Sequence, residues 1–116
     1  MKKILFIFAI MLFIIITSAT SLWAYKNDVK YYLQNKNDLV LKTYINGVGE
    51  GYGWANVENG SAKNPLIYCQ PAKLALSGLN YIDIIDRELE AFNYPMDTPI
   101  EFVLLMGLKR TFPCKK

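Results

Sequence analysis

The hydrophobic pattern divides the chain into one unbroken apolar run and several periodic stretches. Ile4 to Ile16 are thirteen consecutive apolar residues behind a basic Lys2-Lys3 start, and Thr17 to Ala24 then turns small and polar. That is the order of regions in a secretory signal peptide. Cleavage after Ala24, at Leu22-Trp23-Ala24, is the first expectation and cleavage after Ala19 the second. Thirteen residues fall short of the roughly 20 that a membrane span needs, although Leu22-Trp23 extends them, so an uncleaved signal anchor is the alternative. The expected organisation is a signal peptide over 1–24 and a single domain over 25–116.

Within that domain, Tyr25 to Asn37 is polar around an apolar patch of Val29, Tyr31, Tyr32 and Leu33, enough for one or two helical turns. Asn37 or Asp38 can cap a helix that starts at Leu39. From Leu39 to Asn56 two patterns compete. Leu41, Tyr44, Ile45, Val48, Tyr52 and Ala55 recur at helical spacing. Against them, Asn46-Gly47 between apolar residues is a strong hairpin signal, and glycines recur at 47, 49, 51 and 53. Four interior glycines cost a helix about 4 kcal/mol relative to alanine. If the helix forms, Gly47, Gly51 and Ala55 border its apolar face and offer close approach to another helix backbone. Periodicity puts helix slightly ahead of hairpin.

Val57 to Pro65 collects Asn59-Gly60, Ser61, Asn64 and Pro65, and reads as an exposed loop. Leu66 to Pro71 is expected to be extended, because the residue before a proline disfavours the helical region. Ser77 is a good N-cap for a helix of about fifteen residues. Its apolar face is Leu79, Ile82, Ile85, Leu89 and Phe92, with Asp83, Asp86, Arg87, Glu88 and Glu90 mostly on the other faces. Tyr94-Pro95 ends it. Thr98-Pro99-Ile100-Glu101 then resembles a capping box with proline at the first helical position. Ile100, Val103, Leu104, Gly107, Leu108 and Thr111 continue at helical spacing until Phe112-Pro113-Cys114.

Charge adds little. Without Lys2 and Lys3 the chain keeps eleven of its thirteen basic residues against ten acidic ones, a net charge of +1. No basic cluster sits beside stacking aromatics, so nucleic acid is not an expected partner. Cysteine usage adds more. Cys69 and Cys114 both lie in the exported part, and two thiols in an exported chain read as one disulfide. Two buried free cysteines are the alternative.

The candidate chemistry is sparse. The chain has no histidine, which removes His-based triads and the commonest metal ligand. The glycines are spaced G-x-G-x-G-x-G, which is neither a dinucleotide fingerprint nor a P-loop. The carboxylates Asp83/Asp86 and Glu88/Glu90 read as a solvated face ahead of acid–base catalysis. Tyr31, Tyr32, Tyr52 and Trp54 are either core or a binding patch, with Trp54 open between the two. An enzyme is not expected, and neither a cofactor nor a metal is implied.

The order Tyr44-Ile45-x-Gly47-Val48, Trp54-Ala55-Asn56, Tyr68-Cys69-x-Pro71, a helix, and Thr98-Pro99 opening a helix that closes on Phe112-Pro113-Cys114 resembles the Rap/Tai family of type VI secretion immunity proteins. The resemblance covers about Leu39 to Cys114. Members often carry a further cysteine shortly before the Tyr-Ile pair; here Leu41 or its neighbours hold that place, and no cysteine precedes Cys69. The resemblance implies an all-α, disulfide-bearing periplasmic protein, often a homodimer. It would bind a secreted toxin, typically a peptidoglycan amidase, and block its active site. It favours helix over hairpin around Tyr44 to Asn56, and gives Tyr44, Ile45, Gly47, Gly51, Trp54, Pro71 and Pro113 structural roles.

The sequence thus leads to an all-α single-domain bundle of three main helices and a short N-terminal one, with a Cys69–Cys114 disulfide. Its expected function is stoichiometric inhibition of a periplasm-acting effector. Asn59, Gly60, Ser61, Lys63, Asn64 and Tyr68 are the candidate partner-binding residues. An envelope-assembly module with no toxin partner is the alternative.

Overall fold

The computed structural model describes Met1 and residues 27–115; the expected signal peptide lies outside the described residues apart from Met1. Among the described residues four helices lie in chain order: α1 (Val29–Asn35), α2 (Leu39–Ser61), α3 (Gly78–Ala91) and α4 (Ile100–Thr111). Among the described residues the only β-type pairing is an isolated antiparallel bridge between Asp28 and Pro99. The all-α expectation holds, and the hairpin alternative for Tyr44 to Asn56 is excluded. No helix among the described residues is long and apolar enough to cross a membrane.

Local chemistry sets most of the helix starts. Asp28 accepts from the Tyr31 N–H at 2.8 Å, and Asp38 from the Val40 N–H at 2.7 Å. The Ser77 N–H donates to the Asn80 side chain at 2.8 Å, a reciprocal cap at the start of α3. The expected Thr98–Glu101 box does not form. Pro99 is the N-cap of α4 and no side chain caps it. The Thr98 carbonyl instead accepts from Val29 at 3.0 Å, docking α1, and the Glu101 carboxylate accepts from the Tyr44 hydroxyl. Glu101 still stands in the first turn of α4, with Lys109 and Arg110 in the last, matching the helix dipole.

The core sits where α3 packs against both α2 and α4. Leu41 and Ile45 of α2 meet Tyr81, Ile84 and Ile85 of α3, which meet Ile100, Val103, Leu104 and Leu108 of α4. Val29 and Tyr32 of α1 and Tyr68 of the segment ahead of α3 belong to the same buried cluster. The apolar face of α3 is rotated from its expected position. Tyr81, Ile84, Ile85 and Glu88 are buried, while Leu79 is 71% exposed and Phe92 43%. Close approach between helices uses different glycines from those expected. A Cβ on Gly49 would meet the Tyr81 ring closer than 3.0 Å, and one on Gly107 would meet Ile84 at 2.6 Å. At Gly47 and Gly51 an added Cβ would have nothing within 4 Å, and Ala55 is exposed.

Cys69 and Cys114 form the expected disulfide, with Cα atoms 4.9 Å apart. It joins the segment ahead of α3 to the chain just past α4, and the Cys69 N–H donates to the Phe112 carbonyl at 2.8 Å beside it. Closing a loop of this length removes about 4 kcal/mol of unfolded-state freedom in the chain-entropy treatment, a large fraction of the stability of so small a domain.

Candidate functional site

Helix α2 outlasts the expected loop start. Its composition from Asn59 on favours a turn, yet Asn59, Gly60 and Ser61 complete its last turn. The end is a Schellman motif: the Asn64 N–H donates to the Asn59 carbonyl at 2.8 Å and the Lys63 N–H to the Gly60 carbonyl at 3.2 Å. This closure places its C′ residue in the left-handed region, where glycine is usual. Here the residue is Lys63, at φ 58°. A lysine held there is strained by about 1–2 kcal/mol, on an exposed turn that also carries Asn64.

The return segment is pinned beneath that turn. The Asn56 side chain accepts from the Ile67 N–H at 2.7 Å and donates to the Tyr68 carbonyl at 2.6 Å. One amide therefore satisfies two backbone groups on a segment that has no ladder of its own. Two residues on, the disulfide and the Cys69–Phe112 bond fix the same strand of chain. Tyr68, expected at the binding surface, is 1% exposed, with its ring tilted against Phe112 at 6.4 Å between centroids. It is a core residue because Asn56 holds its backbone to α2 while Cys69 beside it is tied to the chain just past α4.

Between α2 and the return segment lies a groove of about 500 Å3, lined by Glu50, Gly53, Trp54, Asn56, Val57, Gly60, Leu66, Tyr68, Gln70, Pro71 and Ala72. Trp54 stands at its rim, 72% exposed, which assigns it to the surface. Val57 and Leu66 are exposed beside it. A Cβ at Gly53 would stand in ordinary contact with the Tyr68 hydroxyl, at 3.9 Å. The phenols of Tyr68 and Tyr81 are both raised, first by burial and then by the negative Glu50, Tyr81 to about 12 with a further contribution from Tyr68. Both therefore stay neutral at physiological pH.

The other candidates are placed elsewhere. Tyr32 is fully buried, and its hydroxyl donates to Asp86 at 2.8 Å; burial first, then Asp86, raises its phenol far above the ordinary value. The Tyr52 hydroxyl donates to the Glu101 carbonyl at 3.0 Å. No Tyr31–Tyr32–Tyr52–Trp54 patch exists, because Tyr32 and Tyr52 turn inward and Trp54 outward. The carboxylates of α3 are likewise dispersed. Asp83 pairs with Arg87 in solvent, and Asp86 takes Tyr32 and Lys36. Glu88 is not on a solvated face: it is 4% exposed and accepts from both Arg110 and the Tyr94 hydroxyl. Arg110 also lies over the Phe92 ring at 3.8 Å, a cation–π contact. Ile45 is core; Gly47, Gly51, Pro71 and Pro113 are exposed. Among the described residues no group of three or more His, Cys, Asp or Glu could hold a metal ion.

Sequence reading missed Glu50 as a groove residue. The signal that could have found it is the spacing Glu50, Trp54, Glu58, which stacks three side chains on one helix face. Comparison of the chain with protein-family models, with curated proteins and with solved structures finds no match.

Proposed function

We propose that this protein is a periplasmic immunity protein, exported through its N-terminal segment, that binds and inhibits a type VI secretion effector, a peptidoglycan amidase. The reading joins the motif resemblance over Leu39 to Cys114 with one structural observation. The exposed Lys63-Asn64 turn is held rigid from both sides, by the Schellman closure of α2 and by the Asn56 clamp and disulfide behind it. A preorganised protruding turn loses little entropy on docking into a cleft, which is what an active-site blocker requires. On this reading the protein acts by occupancy at one-to-one stoichiometry, with no turnover, and is itself a homodimer.

The test immobilises the oxidised protein and passes over it the secreted proteins of strains with active contact-dependent secretion. Retained material is identified by mass spectrometry and assayed for peptidoglycan cleavage with and without added protein. The expected result is an amidase whose activity falls to zero near one equivalent. Changing Ser61, Lys63 and Asn64 to Ala, Gly and Ala leaves the melting temperature intact or higher and removes retention; unchanged affinity refutes the turn as the inserting element. Retention of resident envelope proteins alone, with a growth defect on deletion in the absence of any attacker, replaces the immunity reading with the envelope-assembly one.

A further inference from the structure

We infer that the groove beside Trp54 is a receptor slot for one basic side chain, lysine or arginine, projecting from the surface of the protein partner. The inference rests on the immunity reading for who that partner is. It rests on the groove itself for the chemistry.

Three observations converge. The groove is largely apolar and carries a single formal charge, Glu50. That carboxylate is exposed and makes no ion pair with any described residue; the ion pairs present are Lys36–Asp86, Arg87–Asp83 and Arg110–Glu88. The α2 wall has no cation of its own: between Lys42 and Lys63 the chain has Glu50 and Glu58 and no basic residue, and the neighbouring Lys63 and Lys73 do not line the groove. Finally, Trp54 lies one helical turn from each of these glutamates, at i+4 and i−4, and its indole is 72% exposed at the rim.

An indole face flanked by carboxylates is the complement of a long aliphatic stem with a cationic end. The stem lies along Trp54, Val57 and Leu66, while the cation meets the indole face and Glu50 together. An anionic side chain is repelled by Glu50. A purely apolar one leaves that carboxylate desolvated without a partner. The asymmetry sets specificity: charge complementarity selects the occupant and the apolar wall gives it a fixed direction. The slot lies next to the Lys63-Asn64 turn, so one partner can meet both.

The test needs no toxin for its first arm. The probe is acetyl-Gly-Gly-Arg-Gly-Gly-amide, titrated into the labelled full-length protein while amide and indole resonances are followed by NMR. Its citrulline counterpart, of the same shape without the charge, is the control. The expected result is saturable shifts centred on Glu50, Trp54 and Leu66 to Ala72, at least tenfold weaker for citrulline. Glu50→Gln weakens arginine binding at least fivefold and Trp54→Ala about threefold, with unchanged melting temperatures because both positions are exposed. Equal binding of the two peptides, or indifference to Glu50→Gln, overturns the slot.

The second arm repeats effector capture with Glu50→Gln. Loss of affinity of tenfold or more supports the slot within the complex. An effector retained and inhibited equally by the variant overturns the slot and leaves the immunity reading standing. Arginine-selective peptide binding without any captured effector upholds the slot and removes the immunity reading.

Discussion

Helix α2 carries glycines at 47, 49, 51 and 53, and the structure assigns them opposite consequences. At Gly47 and Gly51 an added Cβ meets nothing within 4 Å. Alanine there removes unfolded-state freedom and adds no clash, so each substitution stabilises by about 1 kcal/mol. For a domain of this size that raises the melting temperature by roughly 4–8 °C each. At Gly49 the same methyl would lie closer than 3.0 Å to three atoms of the Tyr81 ring. Tyr81 is 3% exposed between α2 and α3, so the ring has no free direction in which to move. Overpacking of this kind costs about 1–3 kcal/mol or more, which outweighs the propensity gain. Gly49→Ala therefore gives no net gain and destabilises by up to about 2 kcal/mol although it improves the helix.

The assay is thermal and urea unfolding of the oxidised protein, read by far-UV circular dichroism. A double-mutant cycle isolates the cause. In a Tyr81→Leu background the ring is gone, and Gly49→Ala should lose most of its penalty. If Gly49→Ala stabilises as much as Gly47→Ala in the parent background, the close α2–α3 packing is refuted. If Gly47→Ala destabilises, the outer face of α2 is not open.

The same structure sets four further outcomes. Glu88→Ala removes the acceptor shared by Arg110 and the Tyr94 hydroxyl and costs about 1–2 kcal/mol, since the Arg110 charge stays within reach of water, whereas Asp83→Ala removes an exposed pair with Arg87 and costs under about 0.5 kcal/mol; urea midpoints separate the two. Lys63→Gly relieves the left-handed strain and stabilises by about 0.5–1 kcal/mol, while Lys63→Val at the same place destabilises. Cys69→Ser with Cys114→Ser lowers stability by about 4 kcal/mol, read as a shift of the urea midpoint. Above pH 10 the unfolded chain ionises its tyrosines while folded Tyr32 and Tyr81, whose phenols are raised by burial first, stay protonated. The unfolded state then binds fewer protons, so stability is full below pH 10 and falls as pH rises toward about 12, at about 1.4 kcal/mol per pH unit for each of these two groups. Tyr44, Tyr52, Tyr68 and Tyr94, also raised by burial first, add to the fall, and Tyr32→Phe should make it shallower.

The architecture was legible because most of it is written locally. Asp38 and Ser77 start their helices where they stand, Pro95 and Pro113 come just after helix ends, and the paired cysteines closed the one long loop available to them. The helical period in Leu41, Ile45 and Val48 outvoted Asn46-Gly47, since a helix gathers these three and Tyr52 on one face against the core. The features that were not legible depend on partners distant in sequence. Thr98 has the chemistry of a cap, but its carbonyl is engaged by Val29 across the fold and Glu101 is drawn to Tyr44, so the local box loses to two tertiary bonds.

Glu88 shows the same limit at the level of a whole helix. A carboxylate counts as a polar position in any hydrophobicity pattern, so placing it outside turned the expected face of α3 toward Leu79 and Phe92. Its burial becomes favourable only when Arg110, 22 residues later, and Tyr94 supply donors from the neighbouring elements. Once Glu88 points inward, Tyr81, Ile84 and Ile85 complete the face, and Tyr81 comes to lie against Gly49. The position of one buried charge thus decides which of the α2 glycines is indispensable. The groove obeys the opposite logic: its charge, Glu50, sits where a solvated helix face allows it, and only the Asn56 clamp and the disulfide bring the wall of Leu66 to Pro71 alongside. Helix periodicity places the residues of one face; the covalent and amide ties between segments decide which of those residues share a site.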